Sequence, residues 1–455
     1  MEYIDKNSIV NNNRISAGAN IDITPEFTAT LGAAYGTFLE KGVVVLARDY
    51  RTDSRMLKRS FAAGLMSAGI NVLDIHEGST STLRFSIRRF GATGGVMFTS
   101  GHLMKGKTAI KFYNGHGIEY GIDFIKKMFS IMNEKKINRV KPDEVGQIST
   151  SEDIDSIYNK AMAQFIDKEL LAESDLRIVM DCANGPLGDT APQLFSNLDI
   201  DVVAINTFKP YKSFKNLPDI ESIRKVSRIV SSANADLGMA CDVDASRVIF
   251  FMENGAVIDS DLLITLFFMD LLDRDIKNPI VITSQTTTRM LDELAKEYNV
   301  TLIRVDNIPG EISSKIRLKM GNLGISDGGK VRFPVYAPFT DIILVALKLC
   351  EIIARTNDNL SNLISQCPQS IKMQEDLTVK PDVFHNYNFY LEKIEDKIIK
   401  YVDTLFGVKL FFGNDKGFVN IIPQLYFDRL RLSAELNDTC DASELFSMIK
   451  EVLTE

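Results

Sequence analysis

The chain has 455 residues, with 52 Lys+Arg against 60 Asp+Glu, a formal charge of −8 and 45% apolar residues. Ordinary globular proportions at this length exclude a disordered or fibrous chain, leave room for three or four domains, and provide no basic stripe for a nucleic-acid backbone. Five widely spaced Cys without a CxxC pair exclude a disulfide framework and a cysteine-rich zinc site, and fit a reducing compartment.

The opening MEYIDKNSIVNNNRIS has no basic segment leading into an apolar run, so no secretory signal is expected. The longest apolar stretch, residues 262–269, is far short of the ~20 residues that span a bilayer. The expectation is a cytoplasmic protein with neither membrane nor nucleic acid as partner. With four His and no Trp, histidine-based metal or triad chemistry has few homes.

Taken in chain order, strand and helix patterns alternate as parallel α/β units do. The first unit runs through VVVLARD (43–49), a helix near 56–68, NVLDI (71–75), a helix near 82–90 and GGVMFTS (94–100). Its strands lack polar alternation, which predicts burial on both faces. The second has LRIVMDCANG (176–185), VVAIN (202–206), a helix with Ile223, Val226 and Val230 on one face, and ADLGMACD (235–242). The third has an apolar helix over 262–272, IVITS (280–284), a helix over 288–298, TLIRV (301–305) and a helix over 342–354. Beyond about 370 the pattern changes to a helix near 388–401, short strands VKLFF and FVNII, and a last helix over 443–452. The polar stretches 140–153 and 355–370 read as linkers. The expected fold class is therefore α/β, with three similar α/β/α mixed-sheet domains (1–145, 154–256, 257–367) and a C-terminal α+β domain (370–455).

In open parallel sheets ligands gather at the carboxyl ends of strands, which directs attention to three places. The first is Thr99-Ser100-Gly101-His102. Residues 101–108 also spell GxxxxGK[ST], the phosphate-cradling pattern, but that pattern needs a helix beginning at Lys107, whereas the sequence there is β-prone. Ser100 and His102 read equally well as small turn residues and as chemical groups. The second is Asp242-Val243-Asp244-Ala245-Ser246-Arg247. Two carboxylates two residues apart, with a hydroxyl, can converge on a hard cation; an Asp-rich turn paired to Arg247 is the structural alternative. The third comprises the glycine-rich segments 310–315 and 324–330, where backbone approaches a ligand easily or simply turns.

In combination, GVVVLARDYRTDS, GGVMFTSGH with AIKFYNGHG, ADLGMACDVDASRVIFFMENG and FTDIILVALKL resemble, in order and spacing, the α-D-phosphohexomutase superfamily. The resemblance covers essentially the whole chain. It implies four domains around a central cleft and interconversion of hexose 1-phosphates and 6-phosphates, with a phosphoserine as donor and Mg²⁺ on three aspartates. Carried over onto this sequence, with the serine shifted by one residue, it implies Ser100, His102 and Lys111 as catalytic residues. It places a weakly held Mg²⁺ on Asp242, Asp244 and Ser246, and puts Arg48, Arg247, Ser326 and Lys330 on a phosphosugar.

Five segments depart from the family pattern. Gly101 stands at the serine of TASHNP, and Ser246 replaces the third aspartate of DGDADR. Asn20 takes the place of an arginine, and Ser326 that of the sugar loop's glutamate. Residues 422–431, IPQLYFDRLR, lack the hydroxyls of the phosphate loop RPSGTEPKLR. The departures favour a non-catalytic paralogue, acting as a subunit or ligand-binding regulator, either as a homo-oligomer or beside an active mutase. The alternative is an active phosphomannomutase or phosphoglucomutase with Ser100 as a shifted phosphoserine and Mg²⁺ at Asp242 and Asp244. A nucleotide-binding protein using residues 101–108 is a third reading.

Overall fold

The computed structural model describes residues 10, 11, 14–100, 107–209, 220–306, 308, 310–368, 370–380, 383, 394, 398–404, 407–412, 417–424, 429–436 and 439–454. The first sheet contains β1 (Val10–Asn11), β2 (Arg14–Gly18), β3 (Val43–Arg48), β4 (Asn71–Glu77), β5 (Gly94–Thr99), β6 (Lys107–Asn114) and β7 (Ile148–Thr150). Their order is β1-β2-β6-β5-β3-β4-β7, with β3 parallel to β4 and β5, and β6 antiparallel to β5.

Side chains alternate across a strand, and here both faces are apolar because both are covered. Val44 and Leu46 of β3 join Val96, Phe98, Ile110 and Phe112 in the core beneath the helices Pro25–Leu39, Thr52–Ser67 and Ile122–Asn133. Val45 and Ala47 join Met97, Leu83 and Ile87 in the core on the other face. Helices Pro25–Leu39 and Thr52–Ser67 cross at close range because glycines meet there. A Cβ on Gly32 would lie 2.3 Å from the Phe61 carbonyl oxygen, and one on Gly64 would lie 2.0 Å from that of Ala29.

The second sheet has β8 (Arg177–Asp181), β9 (Asp201–Ile205), β10 (Leu237–Cys241) and β11 (Val248–Met252), in the order β11-β10-β8-β9. The third has β12 (Ile280–Ser284), β13 (Thr301–Val305), β14 (Leu323–Ser326) and β15 (Lys330–Arg332), in the order β13-β12-β14-β15. Each repeats the plan of β3 to β6. A central strand takes its successor on one side and the next parallel strand on the other, and an antiparallel hairpin follows. The strand order reverses beside the central strand, the position at which ligands gather in such sheets. The fourth sheet is antiparallel throughout: β16 (Ile371–Thr378), β17 (Ile398–Thr404), β18 (Gly407–Phe412), β19 (Gly417–Gln424) and β20 (Arg429–Leu436), in the order β16-β20-β19-β18-β17. Helix Thr439–Thr454 packs Phe446, Ile449 and Leu453 against its apolar face.

Two compact units result. One comprises Met1–Ile258 with Tyr336–Leu363, and the other Asp259–Val335 with Ile364–Glu455.

Local pattern misread several elements. Residues 398–401, expected at the end of a helix, form the start of β17 because β18 is available to pair with them; apart from residue 394, the earlier part of that expected helix lies outside the described residues. The stretch 140–153 is not merely a linker, since β7 adds to the edge of the first sheet beside β4. The stretch 355–370 contains the helix Leu360–Ser365. Lys107 opens a strand, paired with β2 and β5, so the nucleotide-binding reading lacks the helix it requires.

Candidate active site

Ser100 follows β5 at the edge where the first sheet reverses its strand order, and Asp49 follows the neighbouring β3. Asp49 accepts a hydrogen bond from the Ser100 amide at 3.1 Å, and the Ser100 side chain is fully buried. His102 and Gly101 lie outside the described residues.

The second sheet supplies the acidic part. Residues 242–247 turn the chain from β10 into the antiparallel β11, with Cys241 opposite Val248. Ala245 adopts a left-handed conformation at φ 54° to make the turn. The Asp242 carboxylate organises it: Oδ1 accepts from the amides of Ser246 (2.7 Å) and Arg247 (3.0 Å), and Oδ2 from the Ser246 hydroxyl (2.9 Å). Asp244 points instead at the first sheet. Its Oδ2 accepts from the Lys111 ammonium at 2.6 Å, its backbone carbonyl accepts from the Thr80 amide at 2.8 Å, and the Lys111 ammonium lies 3.4 Å from the Ser246 hydroxyl. Lys111 is held in register on β6 opposite Met97.

Both carboxylates are fully buried and Lys111 is 4% exposed. Burial first, and Asp244 second, push the Asp242 carboxyl up. Burial would raise Asp244 as well, but the Lys111 charge and hydrogen bond outweigh it and hold that carboxyl below the usual range. Of the two buried carboxylates Asp244 is bonded directly to the Lys111 ammonium, and among the described residues its Oδ1 is buried without a hydrogen-bond partner. An orphaned anionic oxygen in a low-dielectric site costs free energy that a cation recovers. The donor set is oxygen only, which fits a hard cation that keeps some of its water. No group of three or more His, Cys, Asp or Glu side chains suited to a metal occurs among the described residues; Asp242, Asp244 and the Ser246 hydroxyl are the oxygens this turn offers.

The structure thus gathers Lys111, Asp242, Asp244 and Ser246, with Arg247 on the same turn. Arg48 turns away from them. Its guanidinium pairs with Glu77 at 2.5 Å and lines a separate cavity of about 460 Å³ with Tyr50, Arg55, His76, Asp155 and Asp189. Ser326 and Lys330 belong to the second unit, where they face each other across the β14–β15 hairpin, and the Ser326 hydroxyl accepts from Arg332 at 3.1 Å. Asn20 is left-handed at φ 58°, a conformation asparagine tolerates better than arginine, and its amide closes a turn onto the Ile23 carbonyl. The phosphate-loop counterpart, 422–431, carries the β19–β20 pairing as far as Gln424 opposite Arg429; residues 425–428 lie outside the described residues. Two groups beside Ser100, Asp49 and Arg51, escaped the reading by residue type. Their signal was the RDYR phrase at the end of β3.

Three family models match in succession: phosphoglucomutase/phosphomannomutase alpha/beta/alpha domain I over residues 9–139, domain II over 156–255 and domain III over 259–371. The chain belongs to the phosphoglucomutase/phosphomannomutase family. It is 28% identical over 446 residues to a phosphoglucomutase/phosphomannomutase of Thermococcus kodakarensis, covering 96% of each chain. A phosphoglucomutase/phosphomannomutase family protein of Burkholderia thailandensis has a similar structure, with a TM-score of 0.85 at 20% identity, covering 99% of this chain and 98% of the other. N-acetylphosphoglucosamine mutase of Aspergillus fumigatus, solved with GlcNAc-6P and magnesium, matches at TM-score 0.59 and 12% identity, covering 95% and 99%.

Proposed function

We propose that the protein is an active phosphosugar mutase that passes a phosphoryl group between Ser100 and a hexose phosphate. The observation that supports this reading is the buried Asp244 Oδ1, without a hydrogen-bond partner among the described residues, beside the Lys111 ion pair, where a cation would supply the missing charge. The names of the full-length relatives support it.

Mg²⁺ held by Asp242, Asp244 and Ser246, when bound, supplies positive charge opposite the transferring phosphoryl group. This chain's residues do the rest. Lys111 restrains Asp244 so that its free oxygen stays aimed, and Asp242, fixed by two amides, holds the turn rigid. Transfer to the sugar breaks the phosphorus–Oγ bond of Ser100 and forms a bond from phosphorus to a sugar hydroxyl oxygen, whose proton ends on Ser100 Oγ. The reverse step on the bisphosphate returns the other phosphoryl group to Ser100. The Ser100 side chain is fully buried in the structure.

A second reading, a non-catalytic paralogue working as a regulator or as a subunit beside an active mutase, is favoured by Gly101 at the family's serine position and by that same burial. Intact mass after incubation with glucose 1,6-bisphosphate and Mg²⁺ separates the two. A phosphoryl adduct, lost in Ser100→Ala together with turnover of glucose, mannose or glucosamine 1-phosphate, supports the mutase. An unmodified, inactive wild-type protein that co-purifies with a second mutase chain supports the paralogue.

A further inference from the structure

Asp49 and Arg51 form a buried ion pair that reaches both ends of the β5–β6 connection. The fully buried Asp49 carboxylate accepts from Ser100 N at 3.1 Å and Arg51 Nε at 3.0 Å on one oxygen, and from Arg51 N at 3.0 Å on the other. Arg51 then crosses to the far end of the connection. Nη1 donates to the Lys107 carbonyl at 2.9 Å, and Nη2 donates to the Thr108 and Ser54 hydroxyls at 3.1 Å each. The Asp49 amide also donates to the Phe98 carbonyl at 3.0 Å, which ties the pair to β5 itself.

A buried ion pair gives little net stability over apolar packing, because desolvation consumes the Coulombic gain. What this pair does provide is geometry. A planar guanidinium satisfied on three sides has one orientation, and through it the residue before position 101 and the residue after position 106 are fixed against the same strand end. In-line phosphoryl transfer punishes displacement severely, since a misplacement of about 1 Å costs about 100-fold in rate. The Asp244 turn is referenced to the same frame, because Lys111 lies four residues beyond Lys107 on β6.

We infer that Asp49 and Arg51 are a positioning pair that anchors both ends of the Ser100-bearing connection and sets the phosphoryl-transfer rate without binding the sugar. This rests on the mutase reading for its kinetic consequence, whereas the anchoring itself does not.

The test uses the full chain and Arg51→Lys, which keeps the charge and loses the fork. Hydrogen exchange in the peptide covering residues 99–108 should rise at least about tenfold, with peptides from β3 and β4 unchanged. In the same variant kcat should fall about 100-fold, while KM for glucose 1-phosphate stays within about threefold. Thr108→Val, which removes a single acceptor, should move both readouts the same way by less, and decides the matter if the lysine variant does not fold. Unchanged exchange in the 99–108 peptide overturns the anchoring. Raised exchange with unchanged kcat, or a rise in KM that accounts for the whole loss, overturns the positioning role. If the wild-type protein neither turns over nor acquires a phosphoryl group, the mutase reading and the rate-setting role fail together, and the exchange result alone decides the anchoring.

Discussion

The first unit buries Asp242 and Asp244 beside the Lys111 ammonium, and among the described residues Asp244 Oδ1 is left without a hydrogen-bond partner. The second unit also buries charge. Lys409 of β18 is 1% exposed, donates to the Gln285 carbonyl at 2.5 Å and lies 3.4 Å from the centre of the Phe418 ring. Glu435 of β20 accepts from the Thr288 hydroxyl, the Arg289 amide at 3.1 Å and the Ser370 hydroxyl at 2.7 Å. Burial is comparable, but satisfaction is not. The Lys409 and Glu435 contacts tie the C-terminal sheet to the end of β12, whereas Asp244 Oδ1 has no hydrogen-bond partner among the described residues. Perturbed charge becomes evidence for a site when the protein itself does not balance it.

Removing the ammonium bonded to Asp244 should have the largest effect. Lys111→Met leaves two buried carboxylates without their ammonium and should cost about 3–5 kcal/mol, read as a fall in Tm; a change of under about 1 kcal/mol would show that the site is not strained by its acids. Next, Mg²⁺ should raise the wild-type Tm by an amount set by binding to the folded state alone, about 2.7 kcal/mol at a hundredfold excess over Kd, and Asp244→Asn should abolish the rise. An equal rise in the variant would place the cation elsewhere.

The second unit should respond to pH rather than to metal. Burial, then Arg304, bring the Lys409 ammonium down to about 7, so between there and its ordinary value the unfolded chain holds more protons than the folded one. Stability should therefore rise with pH across that window, by at most about 1.4 kcal/mol per pH unit, and Lys409→Met should flatten that component of the melting profile. The smallest effect belongs to Asp155, pushed up to about 6 by burial and by Asp189. Its folded form holds a proton that the unfolded form releases, so its contribution is lost as pH rises from about 4 to 6. Asp155→Asn should then stabilise slightly at pH 8, by roughly 1 kcal/mol or less, and a destabilisation would show that Asp155 has a cationic partner in solution.

Much of the fold was legible because it is written in local periodicity. β3, β5, β8 and β12 are continuous apolar runs, and runs of that kind fit only a sheet covered on both faces. Residues 398–401 and β7 were illegible for the opposite reason: their pairing depends on partner edges far along the chain, which no local pattern reveals. The site was legible in part. The DVDAS segment at a strand end identified the carboxylates, and the family phrases identified Lys111.

Sequence alone determined the α/β repeats and the family, because hydrophobic period and residue chemistry are local properties. Only the tertiary structure decided that Lys111 of β6 meets Asp244 of the second sheet, that Arg48 turns away to Glu77, and that Asp49 and Arg51 grip both ends of the Ser100 connection. Those outcomes depend on which strand ends are brought within hydrogen-bonding distance and on which charges lose their water there.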